Sequence, residues 1–345
     1  MEQSVKKQFD SLQLLRGIAA IAVVFFHGFE NFALFGFGKY GVDLFFVLSG
    51  FIMLYIHRVD LGEKGAIKPF LMKRFIRIYP TYWIVTLAYI ALISIFGFSF
   101  SSNYILKSMF LLPQGQMPIV GVAWTLEYEV LFYLMFALFM LSKKWFYPLL
   151  GLWSSAILIS WILSWELSPF VGRLLDPLNL EFVCGCMIAY LVMDKRLTMR
   201  GIVLIGVIVL GISVALQQFI LLEIHRTILW GIPFALIIYG LVSIEIGRSI
   251  RIPKLFVRLG DASYSIYLTH LLTLLVLESI LERVGMYKSG PTAWMQVILC
   301  IISIIIGVIF YYSAEKRMLS LFRRKAIMGK RVSIPSEQKQ APIVP

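Results

Sequence analysis

Charge is what this sequence has least of. Asp, Glu, Lys and Arg make up 15% of its 345 residues, hydrophobic residues make up 59%, and the mean hydropathy is +0.84. A soluble domain of this size carries about a quarter charged residues, so a water-soluble fold is excluded. Cysteine is scarce as well. Cys184, Cys186 and Cys300 all lie in apolar stretches and read as small packing hydrophobes. Cys184-Gly185-Cys186 has no His or acidic companion at ligand spacing, so no metal is expected. No Gly-x-x-x-x-Gly-Lys-Ser/Thr loop occurs, which argues against an ATP motor, and there is no Gly-x-Ser-x-Gly elbow. The first apolar run has no small-residue cleavage site and leads into further spans, so no cleaved signal is expected. No internal repeat is seen, and no appended soluble domain is expected.

Long apolar runs are abundant. Ten stretches, at roughly 12–30, 41–57, 78–97, 121–141, 146–165, 178–193, 201–218, 227–244, 262–281 and 292–312, approach the length that crosses about 30 Å of hydrocarbon. Lipid admits only helices or closed barrels, and runs this continuous mean helices. The expected fold is all-α: a polytopic integral membrane protein with about ten transmembrane helices. The net charge of +13 invites a nucleic-acid reading, but its distribution argues against one. With a cytoplasmic N-terminus, all but six of the 32 Lys and Arg fall on the inner side; Lys39, Lys107, Arg173, Arg226, Arg283 and Lys288 are the exceptions. That bias is the positive-inside rule. It places both termini in the cytoplasm and makes anionic lipid, not nucleic acid, the partner of the basic excess. Residues 1–322 form one membrane domain, and 323–345 read as a basic, disordered cytoplasmic tail.

Within spans, ionisable residues are functional candidates by default. Arg16 and His27 share the first span. Eleven residues of helix turn about 1100° and rise about 16 Å, so the two side chains face one way at two depths. His27 has the near-neutral titration suited to a general base; a hydrogen-bonded packing histidine is the alternative. Asp43 opens the second span at a depth expected to match His27. It reads either as an orienter of the imidazole or as a helix N-cap. Arg74 and Arg77 share a helix face at i, i+3 and make either a phosphate clamp or an inner-leaflet anchor. Glu127 and Glu129 lie about 200° apart on one helix, so one cavity cannot receive both. Tyr264, Tyr267 and His270 form a polar stripe on the ninth span and, with Trp124, are cavity-lining or substrate-binding candidates. Asp261 reads as an N-cap, and Glu315, beside Lys316-Arg317, as a boundary ion pair.

Five segments carry a resemblance. They are Leu14-Leu15-Arg16-Gly17 with ten residues before His27; Gly41-Val42-Asp43-Leu44-Phe45-Phe46-Val47-Leu48-Ser49-Gly50-Phe51; Arg74-x-x-Arg77-Ile78-x-Pro80; Trp124-Thr125-Leu126-x-Tyr128-Glu129-x-x-Phe132-Tyr133; and Gly260-Asp261-Ala262-Ser263-Tyr264-Ser265-Ile266-Tyr267-Leu268-Thr269-His270. In this order the chain resembles the acyltransferase type 3 family of bacterial membrane acyltransferases, and within it an exopolysaccharide O-acetyltransferase-like branch. Glu127 and Val130 depart from the family's common Trp-Ser-Leu-Ser-Val-Glu-Glu run.

The resemblance implies a multi-pass enzyme of the bacterial inner membrane. It would pass an acyl group, commonly acetyl, from cytoplasmic acyl-CoA to a hydroxyl of a surface or exported polysaccharide or its lipid-linked precursor. Acetyl-CoA would be a co-substrate, with no permanently bound cofactor, and a homo-oligomer is left open. His27 matches the family's essential histidine, Arg16 its arginine partner, Glu129 its acidic position, and Arg74 and Arg77 its CoA-binding arginines. The chemical reading makes His27, oriented by Asp43 or Arg16, the general base; direct transfer and an acyl-His27 intermediate both fit. The rival reading is a proton-coupled transporter or lipid-sugar flippase, because intramembrane His, Asp and Glu also build proton relays.

Overall fold

A computed structural model describes residues 9–29, 33–95, 97–193, 195–219, 224–248, 250–285 and 292–322. The tail expected at 323–345 lies outside the described residues. The chain is all-helical: α1 (Asp10–Gly28), α2 (Gly41–His57), α3 (Lys64–Ile95), α4 (Ser102–Met109), α5 (Trp124–Phe139), α6 (Phe146–Ile162), α7 (Pro169–Leu174), α8 (Asn179–Met193), α9 (Ile202–Phe219), α10 (Ile232–Gly247), α11 (Lys254–Asp261), α12 (Ser263–Arg283) and α13 (Ala293–Phe310). Among the described residues, eight helical segments are long and apolar enough to cross a membrane. The shorter apolar helices α6 and α9 occupy the fifth and seventh expected spans.

Two boundaries differ from expectation for physical reasons. The basic stretch before the apolar run at 78–97 is helical from Lys64 onward. It forms the first half of α3, a 32-residue helix that runs through Pro69 and Pro80, as neighbouring helices allow. The segment between α1 and α2 folds back. Its 3₁₀ turns, Ala33–Tyr40, return along α1, so Gly38 meets the Ala22 carbonyl and Gly41 the Ala19 carbonyl. Gly41, which opens α2, is level with Ala19, eight residues before His27 on α1, so Asp43 starts α2 deeper than His27, not level with it. It is the third residue of that helix, after the Tyr40 N-cap, and Asp261 is the last residue of α11. Neither is an N-cap.

Close approach of backbones holds the bundle. Gly50 of α2 leaves room for the Phe182 carbonyl, and Gly185 of α8 for that of Val47, so these two helices pack without side chains between them. Gly17 touches Gly260, and Gly28 lies under the Cys300 thiol. Phe46, Phe132 and Phe182 join α2, α5 and α8, with ring centroids 4.7 and 4.4 Å apart. Helix α1 has no side-chain cap of its own. The carboxylate of Glu245, at the end of α10, takes the Asp10 N–H at 2.8 Å and the Ser11 N–H at 3.2 Å, and so satisfies the exposed donors and dipole of a helix start. The connection after α3 is tied to that helix. Tyr82 donates to the Ser108 carbonyl at 2.7 Å and the Trp83 indole to that of Met109 at 2.8 Å.

A branched side chain at position 185 has nowhere to go, and overpacking of this kind costs about 1–3 kcal/mol. Gly185→Val should lower the thermal-unfolding midpoint of detergent-solubilised protein. Gly151→Ala, at an open position, should leave it unchanged.

Candidate active site

A cavity of about 160 Å³ lies between α1, α2, α3, α5 and α12. Arg16 enters it from α1, Arg74 and Arg77 from α3, Glu129 and Tyr133 from α5, and Tyr264 and Tyr267 from α12. The two arginines of α3 share the cavity because three residues of helix turn about 300°. Their attachments differ. Arg77 is ion-paired with Glu315, in a single π turn (Tyr311–Glu315) that extends α13, and sits over the Tyr264 ring. Glu315 is fully buried and also accepts the Ser265 hydroxyl at 2.5 Å. Its partner is thus a residue 238 positions away, not the neighbouring Lys316 or Arg317. Arg74 instead packs its guanidinium 5.7 and 5.6 Å from the Phe70 and Tyr133 ring centres, with its buried Nε lacking a hydrogen-bond partner. Arg16 bonds the Gln13 amide oxygen at 3.3 Å and lies in the field of Arg77, Glu315, Glu129 and Asp261. Within the lining, three arginines face a single carboxylate, Glu129, and Glu315 pairs Arg77 from outside it.

Glu129 accepts the Tyr133 hydroxyl and faces the cavity. Glu127, on the other side of α5, is fully buried and lies 3.0 Å from Arg173, as an ion pair without hydrogen-bond alignment. Along α12, Tyr264 donates to the Ile78 carbonyl at 2.8 Å. Tyr267 shares a 2.8 Å hydrogen bond with Thr125. One turn further, the fully buried His270 meets His27: its Nε2 is 3.1 Å from His27 Nδ1, with ring centres 5.0 Å apart. The stripe Tyr264, Tyr267, His270 therefore runs from the arginine-lined cavity to the His27 ring. Neither histidine lines the cavity itself.

Asp43 stands elsewhere. Both its oxygens accept from Arg226, at 3.1 and 2.5 Å, a bidentate pairing that makes it Arg226's carboxylate and not the orienter of His27. Sequence reasoning missed this centre. Arg226 counted only as an outer-side charge, and Glu181, fully buried beside the pair, gave no signal beyond a lone carboxylate within an apolar run. Gly231 makes room for Glu181: a Cβ there would lie 3.0 Å from its Cγ. Trp124 belongs to this centre too, with Arg226 5.7 Å from its ring, and does not line the cavity. No group of His, Cys, Asp and Glu among the described residues could hold a metal.

Helical spans around an arginine-rich cavity make this a membrane-embedded protein with charged side chains facing an internal space. A family model described as "Acyltransferase domain" matches residues 9–312, so the chain belongs to this family of membrane acyltransferases. It is 29% identical over 313 residues to "Exopolysaccharide production protein ExoZ" of Rhizobium meliloti (strain 1021), covering 84% of this chain and 92% of that one. It is also 26% identical over 316 residues to ORF330 of Acidianus two-tailed virus, a protein provisionally named an acetyltransferase, covering 84% of this chain and 90% of that one. No solved structure matches the chain significantly. Family membership decides between the two classes that the intramembrane charges alone left open.

Glu315 has no exposed surface and Arg77 keeps about a quarter of its own. Removing one partner strands a buried charge. Glu315→Gln should lower stability by about 2–4 kcal/mol in thermal or denaturant unfolding, and the paired Arg77→Met, Glu315→Met variant should recover much of that loss.

Proposed function

We propose that the protein is an O-acyltransferase that moves an acyl group, acetyl in the simplest case, from acyl-CoA to a hydroxyl of an exported polysaccharide or its lipid-linked precursor, in the bacterial inner membrane. The observation that carries this reading is the polar stripe on α12, which links the arginine-lined cavity to His27. In it, Arg74 and Arg16 attract the phosphates of the donor, and Arg77, held by Glu315, completes the basic wall. A volume of 160 Å³ is below that of sites for drug-sized ligands, about 300–1,000 Å³. It suits the slender pantetheine arm and its thioester better than the nucleotide, which stays toward the mouth.

His27 removes the proton of the acceptor hydroxyl as its oxygen attacks the thioester carbonyl. The tetrahedral intermediate collapses, the carbon–sulfur bond breaks, and the imidazolium returns the proton to the leaving thiolate to give CoA-SH. A base positioned in this way contributes about 10²–10⁴ in rate, and a guanidinium near the developing oxyanion adds electrostatic stabilisation. The ExoZ relative supports an exopolysaccharide acceptor by its name, and the outward position expected for His27 suits an acceptor delivered from that side.

The test is CoA release from acetyl-CoA by purified protein in the presence of polysaccharide or lipid-linked acceptor. His27→Ala should lower the turnover by at least 10²-fold at normal expression. Arg74→Ala should raise the donor KM about tenfold or more. Wild-type turnover in His27→Ala would end the reading of His27 as the base.

A further inference from the structure

We infer that His270 is the positioning residue for His27, an imidazole standing where hydrolytic triads place a carboxylate; this rests on His27 acting as the base. The argument comes from carbonyl groups. His270 Nδ1 lies 2.5 Å from the Tyr267 carbonyl oxygen. A carbonyl only accepts, so Nδ1 of His270 carries a proton, and its Nε2 in the neutral ring is a lone pair. That lone pair lies 3.1 Å from His27 Nδ1. His27 Nδ1 is also 3.0 Å from the Val23 carbonyl oxygen, a second acceptor. Nδ1 of His27 therefore donates, and in the neutral ring Nε2 of His27 is the basic nitrogen.

The direction of the chain is set from its far end: Tyr267 carbonyl, His270 Nδ1–H, His270 Nε2, His27 Nδ1–H, His27 Nε2. It serves two purposes. It selects the tautomer, whose loss in a serine-protease triad lowers kcat about 10⁴-fold. It also gives the imidazolium formed at His27 an uncharged acceptor. As Nε2 of His27 takes the hydroxyl proton, the positive charge is shared through the Nδ1–H···Nε2 hydrogen bond, and the same proton later goes to the thiolate, so nothing is lost from the pair.

A neutral orienter has a physical rationale at this place. A second buried carboxylate would need its own compensation in a low-dielectric bundle. Asp43, the carboxylate that the sequence offered for this role, is already held by Arg226. Packing supports the rigidity: His270 has no exposed surface, and the Ser303 hydroxyl of α13 lies 3.5 Å from its carbonyl oxygen.

His270→Phe keeps a ring and removes the lone pair; His270→Gln keeps an amide oxygen that can accept from His27 Nδ1. With purified protein and acetyl-CoA, the Phe variant should lose at least tenfold in kcat with donor KM unchanged, and the Gln variant should recover a substantial part. ¹⁵N NMR of histidine-labelled protein, assigned by His27→Ala, should show His27 in the Nδ1–H form in wild type and a mixture in His270→Phe. Wild-type kcat in the Phe variant, or an Nε2–H tautomer in the native protein, would overturn the proposal. The NMR readout needs no turnover. An Nδ1–H tautomer together with full activity in His27→Ala would therefore reject the base itself and leave the pairing standing.

Discussion

No charge can stay buried alone, and this constraint organises the molecule. A desolvated ion is stable only beside a counterion or a full set of hydrogen bonds. Four buried carboxylates have accordingly found a cation or donor far away in sequence, while Glu181 sits beside one of these pairs. Asp43 pairs with Arg226, Glu127 with Arg173, Glu315 with Arg77, and Glu245 with the N–H groups of α1. These contacts tie α2 to the segment before α10, α5 to α7, α3 to the end of α13, and α10 to α1. The charges thus serve as cross-links in a bundle whose remaining contacts are largely non-directional.

The same constraint marks the active site by contrast. Around the cavity, neutralisation is incomplete: Arg74 leans on aromatic rings, Arg16 on a glutamine, and arginines outnumber carboxylates in the lining. Residual positive potential in a low-dielectric wall is what a phosphate-bearing donor requires. At the other end of the stripe, the polar groups are imidazoles and hydroxyls. There the proposed chemistry needs only proton transfer, without a resident charge that would need its own partner.

Legibility in the sequence followed the range of the interaction. The helix positions were readable because ten apolar runs have only one solution in lipid. Within a helix, 100° per residue put Arg74 and Arg77 on one wall and separated Glu127 from Glu129, and both relations hold in three dimensions. Across helices this reasoning weakened. Asp43 was offered to His27 on an assumed equality of depth, which the return of Ala33–Tyr40 along α1 removes. The helix that carries Arg74 and Arg77 begins at Lys64, well before the apolar run at Ile78, because its charges hide its start from a hydropathy reading.

The order of motifs from Arg16 to His270 by itself determined the helical membrane fold and the family, since both depend on local composition and spacing. Tertiary structure alone decided the partners: Arg226 for Asp43, Glu315 for Arg77, and His270 for His27, over separations of 183, 238 and 243 residues. The reason is geometric. Helical periodicity sets the direction in which a side chain points, whereas the depth and rotation of the neighbouring helix set what it meets. Those were chosen by glycine contacts such as Gly50–Phe182 and Gly38–Ala22, whose consequences no single segment contains.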